Sequence, residues 1–348
     1  MDLPMQVAMN TGNSMRVFLL HLFFFCFAMC VAQGNMHTVM FYNVENYFDC
    51  LDDSLTNDAD FLPDAPKHWN WKRYTTKRQN IARVIAAVGK GVPPVLVGLC
   101  EVENAMVLHQ LVAYKPLSMY GYKTVHYESP DARGIDVALL YQPRIFTPIV
   151  SNPIPVQFAD GTHSRDILYV KGLMANADTL HVMVCHAPSR RGGSKADLRR
   201  RYAMQLVRHV VDSVLAVTPQ ASMLIMGDFN DTPLDISIRS TLGAVPVVDK
   251  DDAAVLYNIM PTNQGTYKYK GEWSLFDQFM VTPALLQPTG LMVSSELGCV
   301  FSEAFLLEND KTYMGVKPFR TYLGPRYVGG YSDHLPIYFR LQQWPKKN

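Results

Sequence analysis

Cysteine is scarce in this chain: six occur in 348 residues, and no pair has CxxC or other metal-type spacing, which argues against zinc held by thiolates. Cys26 and Cys30 fall in an amino-terminal apolar run. Of the remaining Cys50, Cys100, Cys185 and Cys299, the second and third lie inside strand-like apolar runs, so buried inert thiols are expected rather than a disulfide framework. An excess of one charge is also missing. The formal net charge is +1, so composition alone predicts neither tight nucleic-acid binding nor attraction to anionic membranes, and such a preference has to come from local patches. No repeat, low-complexity tract or long Pro/Gly/Ser linker interrupts residues 37–342, which predicts one domain spanning 33–348. What is present is a globular composition, 48% hydrophobic and 18% charged, long enough to bury a sizeable core.

Arg16 precedes VFLLHLFFFCFAMCVA, an apolar run of 16 residues that is short for a membrane span and ends in small residues before polar QGN. A secretory signal over residues 1–32 is expected, cleaved near Ala32, leaving a secreted or periplasmic chain from Gln33 with no stable membrane insertion. A retained anchor and lipidation at Cys30 are the alternatives, and the FAM before Cys30 is a poor lipobox.

Beyond the leader, β-type runs recur at 37–44, 93–102, 134–141, 166–174, 179–187, 221–230, 275–281 and 335–341. Helical periodicity marks 74–91, 104–114 and 195–217. The chain reads as α/β, with Asp-, Pro- and Gly-rich loops at 48–73, 231–264 and 298–330 suited to the rims of a site.

Polar side chains interrupt the apolar runs at one kind of place, the strand end. Asn43, Glu45 and Asn46 close the first run; Glu101, Glu103 and Asn104 the second; His186 closes VMVCH; Asp228, Asn230 and Asp231 close LIMGDFND. Carboxylates, amides and imidazoles at converging strand ends suit a hard cation and acid/base chemistry. Taken singly, Glu101 could cap a helix, Asp228 could close an Asx turn and His186 could be a satisfied core histidine. Their joint occurrence with Asp277 in SLFDQF and with the neighbours Asp333 and His334 in GGYSDHLPIYFR points to a site.

The order of these motifs, YNVEN, GLCEVEN, HAPS, MGDFND, FDQF and YSDHLPI, resembles the endonuclease/exonuclease/phosphatase superfamily across about residues 37–342. That superfamily includes deoxyribonuclease I, abasic-site endonucleases, inositol polyphosphate 5-phosphatases and bacterial sphingomyelinases. The resemblance implies a four-layer α/β sandwich, deoxyribonuclease I-like, of two packed and mainly antiparallel β-sheets with helices on both outer faces. It implies a metal-dependent phosphodiesterase in which Glu101 holds the cation, with Asn43, Glu45 and Asp333 as further metal residues. Glu45 stands where many members carry aspartate. Mg²⁺ is the expected ion, with Mn²⁺ or Ca²⁺ as alternatives. His334 would act as general base or stabilise pentacoordinate phosphorus, oriented by Asp277; Asp228 and Asn230 would position water and a phosphoryl oxygen; His186 would bring a second imidazole.

Arg133 resembles the family's phosphate-contacting arginine, with Asp136 as its expected holder; a solvent-exposed turn arginine is the plainer reading, and Arg165 stands in the same position. PSRRGGSKADLRRRY sets Arg190, Arg191, Lys195, Arg199, Arg200 and Arg201 behind His186, as the footprint of a polyanion groove or as a solvated basic face. Tyr267, Tyr269 and Trp273 near Asp277 could stack on bases or simply face one side of a strand. Nucleic acid is the expected substrate, making the chain a secreted nuclease, with no obligate protein partner. A phospholipid or inositol-phosphate hydrolase is the runner-up, for which no membrane-docking apolar hairpin stands out. A non-catalytic binding module would be expected to have lost the acid/base residues, and none is lost.

Overall fold

Strands that carry apolar side chains on both faces need cover on both sides, and that need sets the layers here. The computed structural model describes residues 35–249 and 255–344; the expected leader, with its cleavage point at Ala32, lies outside them. The described chain opens with β1 (Asn35–Tyr47), α1 (Trp71–Val88), β2 (Leu96–Val102), α2 (Ala105–Val112), β3 (Lys123–His126) and β4 (Asp136–Tyr141). It continues through β5 (Phe146–Ile154), β6 (Ile167–Met174), β7 (Thr179–His186), α3 (Ser194–Val217) and β8 (Ser222–Asp228). Shorter elements follow: β9 (Ala244–Pro246), β10 (Leu256–Asn258), a hairpin of β11 (Tyr267–Tyr269) and β12 (Glu272–Ser274), β13 (Asp277–Val281), β14 (Leu291–Val293) and β15 (Cys299–Val300). Two more hairpins, β16 (Leu307–Asn309) with β17 (Val316–Pro318) and β18 (Tyr322–Leu323) with β19 (Arg326–Tyr327), precede β20 (Ile337–Gln343).

One sheet has the order β14-β20-β1-β2-β4-β3, with β15 also on β20; the other runs β5-β6-β7-β8-β13-β10-β9. Parallel pairing joins β1 to β2, β7 to β8 and β9 to β10, and the remaining pairs are antiparallel. Alternation then sorts the side chains. Val39 and Phe41 of β1 pack with Val182, Val184 and Met226 of the second sheet, while Met40, Tyr42 and Val44 pack with Ile81 and Ile85 of α1 and Leu108 of α2. On the far side, Met183 and Cys185 of β7 meet Met204, Val207 and Val211 of α3. The result is the four-layer α/β sandwich. Its sheets approach closely at Gly98, where a Cβ would stand 2.8 Å from Met226 Sδ.

The helices start where the sequence offers caps: Asn70 accepts from Arg73 N–H at 3.2 Å and Asn104 from Val107 N–H at 3.0 Å. The four described cysteines are free thiols, three buried and Cys299 half-buried. Among the described residues no helix is long and apolar enough to cross a membrane.

Candidate active site where the two sheets meet

Strand register alone aligns three candidate side chains of the second sheet. His186 at the end of β7 lies opposite Asp228 of β8, and Asp228 opposite Asp277 of β13. His334, on the approach to β20 of the other sheet, joins them: its Nδ1 donates to Asp277 Oδ2 at 2.7 Å, and its Nε2 is 3.6 Å from Asp228 Oδ2. Burial opposes charge on this imidazole, yet the charges of Asp277 and Asp228 and the Asp277 hydrogen bond outweigh it and hold the His334 pKa well above the ordinary value. Burial pushes Asp228 up to about 6 against the pull of His334. His186 goes the other way, since burial and then Arg165, Arg133 and His334 press its pKa well down and keep it neutral. Its Nε2 faces Asp228 at 3.7 Å and Glu101 at 3.9 Å, and its buried Nδ1 has no hydrogen-bond partner among the described residues.

The first sheet contributes through irregular strand ends. Its pairing register shifts between Asn43 and Tyr47 and again between Cys100 and Val102, and such bulges re-aim side chains. Glu45, Asn46, Glu101 and Asn230 all have left-handed φ, between 50° and 61°, a conformation that costs a non-glycine residue about 1–2 kcal/mol. Four such residues at neighbouring strand ends mark where regular geometry yields to the site. Asn43 Nδ2 donates to Asp228 Oδ2 at 3.0 Å, and Asn230 N–H to Asp228 Oδ1 at 2.9 Å. Glu101 accepts from Asn46 N–H at 2.9 Å through Oε2, while its Oε1 lies 3.9 Å from His186 Nε2.

Glu45 and Asp333 sit together but face a cation of the chain. Arg320 Nε is 3.3 Å from Glu45 Oε1 and Arg320 Nη2 is 2.8 Å from Asp333 Oδ2. Behind them lies Lys77 of α1, wholly buried, whose Nζ donates to Thr321 Oγ1 at 2.6 Å and to the Tyr331 carbonyl at 2.7 Å. Burial lowers its pKa to about 8, with Glu45 pulling upward, so it remains charged at neutral pH.

The structure thus gathers Asn43, Glu101, His186, Asp228, Asn230, Asp277 and His334 at one point, with Glu45 and Asp333 beside them. Arg133 reaches the rim, donating to Asn46 Oδ1 at 2.6 Å and lying 3.7 Å from Glu101. Asp136 does not hold it; that carboxylate is taken by His126 at 3.2 Å and by Ser129 N–H at 3.0 Å. Arg165 is buried, bound to Asp131 and to the Ala187 carbonyl, and braces the loop after β7.

Most of the basic run is committed elsewhere. Arg190 pairs with Asp231 and Asp235, Lys195 and Arg199 with Asp160, and buried Arg200 with Asp197 and Asp231; Arg191 is left exposed, within electrostatic reach of Tyr267. Glu103 and Asn104, read at first with the site, serve structure: Glu103 accepts from Asp49 N–H at 2.5 Å, and Asn104 caps α2.

Sequence reading passed over Lys77; Tyr267, which it did single out, has its ring centroid 4.9 Å from that of His334. Lys77 had a usable signal, because it falls on the apolar stripe with Tyr74, Ile81 and Ile85, where a lysine must find a buried partner.

The donor set suits a hard cation. Glu101 offers a partly exposed carboxylate whose Oε1 has no hydrogen-bond donor among the described residues. Of the three groups among the described residues whose potential ligand atoms lie within 4.8 Å of one another, two are at this site, Asp228 with Asp277 and His334, and Asp228 with Cys100 and His186. In the first the members already bond each other, and in the second burial keeps the Cys100 thiol protonated.

Residues 38–343 match the Endonuclease/Exonuclease/phosphatase family. Among solved structures, a family protein from Bacteroides thetaiotaomicron aligns at 16% identity over 89% of this chain and 98% of its own, with a TM-score of 0.56. A mannosyl-6-phosphatase of the same species aligns at 16% identity over 88% of this chain and 99% of its own, with a TM-score of 0.56. D. rerio TDP2 complexed with a single-strand DNA product aligns at 14% identity over 89% and 100%, with a TM-score of 0.55. At such identities the likeness is one of fold. No curated protein matches the sequence.

Proposed function

The chain belongs to the endonuclease/exonuclease/phosphatase family, whose members hydrolyse phosphate esters, and from that footing we propose that it is a metal-assisted phosphate-ester hydrolase. The observation that carries the reading is the buried His334–Asp277 pair beside Asp228, in which an imidazolium and a carboxylate of raised pKa lie 3.6 Å apart.

Their division of labour follows from their charges. Held protonated by Asp277, His334 presents positive charge to the phosphoryl oxygens, which favours the second of the two roles expected for it. Asp228, held by Asn43 and Asn230, is the base: water attacks phosphorus, the ester P–O bond breaks, the water proton passes to Asp228, and solvent completes the departing alcohol. Asn230 and neutral His186 orient water and oxygen around that carboxylate. Glu101 would hold a divalent cation, Mg²⁺ by preference with Mn²⁺ or Ca²⁺ as alternatives, which when bound would supply Lewis acidity.

For substrate we propose nucleic acid in a single-stranded form. Exposed Arg133 lies 3.7 Å from Glu101, exposed Arg191 lies within electrostatic reach of Tyr267, and the β11–β12 hairpin beside His334 exposes Tyr269 and Trp273, the pairing of cations with stacking faces that unpaired bases use. A second reading, a small phosphomonoester, is favoured by the ion pairs that occupy Arg190, Lys195, Arg199 and Arg200. A panel of single-stranded DNA, RNA, sugar phosphates, inositol phosphates and sphingomyelin, with Mg²⁺ and with EDTA, separates them. Nucleotide release supports the first; intact polynucleotide with turnover of a phosphomonoester removes it. Glu101→Ala is expected to abolish metal-stimulated turnover on whichever substrate responds, and unchanged turnover would unseat Glu101.

A further inference from the structure

Arg320, between β17 and β18, bridges two carboxylates and occupies one oxygen of each, Oε1 of Glu45 and Oδ2 of Asp333. Glu45 is satisfied on both oxygens, Oε1 by Arg320 and Oε2 by Thr321 N–H at 2.7 Å, with Lys77 Nζ 4.0 Å away. Two acids are thereby balanced by two bases of the chain itself. Arg320 is not fully spent in doing so. Its side chain is 34% exposed, and its Nη1 has no hydrogen-bond partner among the described residues. Its anchor Asp333 immediately precedes His334, and Tyr267, packed on the His334 ring, lies within electrostatic reach of both Asp333 and Arg320.

The backbone that carries Arg320 is clamped. Gly330 N–H donates to the Arg320 carbonyl at 3.1 Å, Tyr331 N–H to that of Phe319 at 2.6 Å, and a Cβ on Gly330 would come within 2.4 Å of both carbonyl oxygens. Asn80 of α1 donates to the carbonyls of Gly329 and Gly330, so the helix braces the glycine pair from behind.

We propose that Arg320 is a phosphate-binding residue standing in for a second cation: Glu45 and Asp333 hold its guanidinium instead of a metal ion, and its free edge receives a phosphoryl oxygen. The proposal rests on the phosphate-ester reading above. Two-metal phosphoryl-transfer sites place paired cations over attacking and departing oxygens. A guanidinium fixed by two carboxylates offers the charge and a planar fork for the phosphate without ligand exchange.

The test is a Mn²⁺ titration of the wild-type chain, read by the electron paramagnetic resonance of free ion, with calorimetric binding of inorganic phosphate. One Mn²⁺ is expected in the wild type and two in Arg320→Met, whose Glu45 and Asp333 are released, with phosphate affinity lowered about tenfold or more. Arg320→Lys keeps the charge and serves where the methionine variant does not fold; it is expected to bind one Mn²⁺ and phosphate more weakly than wild type, because an ammonium cannot span both carboxylates. Two Mn²⁺ in the wild type, one in folded Arg320→Met, or phosphate affinity unchanged in both variants each overturns the assignment. None of these readouts needs turnover, so a wild type that hydrolyses no phosphate ester defeats the functional reading separately.

Discussion

Asp277 and His334 stand 57 positions apart in the chain and bond at 2.7 Å, and the site turns on what that bond does to charge. Asp277→Asn keeps a hydrogen-bonding partner while removing the anion that outweighs burial. The His334 pKa, followed by NMR, is expected to fall, and kcat to drop by about 10²–10³-fold. On the proposed reading Asp228 is the base and acts as its carboxylate; burial raises its pKa to about 6, so activity is expected to be present above that pH and to fall as pH drops through it. A pH–rate profile flat from 5 to 8 would remove Asp228 from the role of base. The residues of this cluster were legible in the sequence because each breaks an apolar run at its end. The partnership of Arg320 with Glu45 was not, since 275 positions separate them and no local pattern pairs them.

At the level of elements, strands with an uninterrupted apolar run were readable and those assembled by context were not. β5 contains Pro148 and Pro153, which withhold ladder donors; it survives as an edge strand on β6, with a register shift between Pro148 and Val150. The hairpins β11–β12, β16–β17 and β18–β19 have two or three residues per strand, too short for alternation to register. The loop before β20 shows why it carries a glycine pair: Gly330 lies against the carbonyls of Phe319 and Arg320, where a Cβ has no room. Gly330→Ala is expected to push that segment away, costing about 2–4 kcal/mol in a denaturant melt and lowering activity with it. A variant as stable and active as wild type would show that the segment yields freely.

For the molecule as a whole, two sheets with both faces covered leave their polar strand ends at one edge, which joins the fold to the chemistry. Stability should also carry a signature apart from the site. Burial outweighs the hydrogen bond from Asp49 N–H and, with the charges of Asp49, Asp58 and Asp53, pushes Glu103 up to about 8. The folded state therefore holds its proton more tightly than the unfolded chain, so this contribution is complete below about pH 4.5 and is lost as pH rises through 8. Glu103→Gln is expected to raise the melting temperature by a few degrees at pH 8.5 and to change little at pH 4.5. Equal effects at both would place the titration elsewhere. The central claim is reached most directly by assaying the chain from Gln33 against the phosphate-ester panel with Mg²⁺, with and without EDTA, for wild type and His334→Ala. The account expects turnover of at least one ester, abolished by EDTA and lowered about 10³-fold or more in the variant; turnover of none, or equal turnover by both proteins, would contradict it.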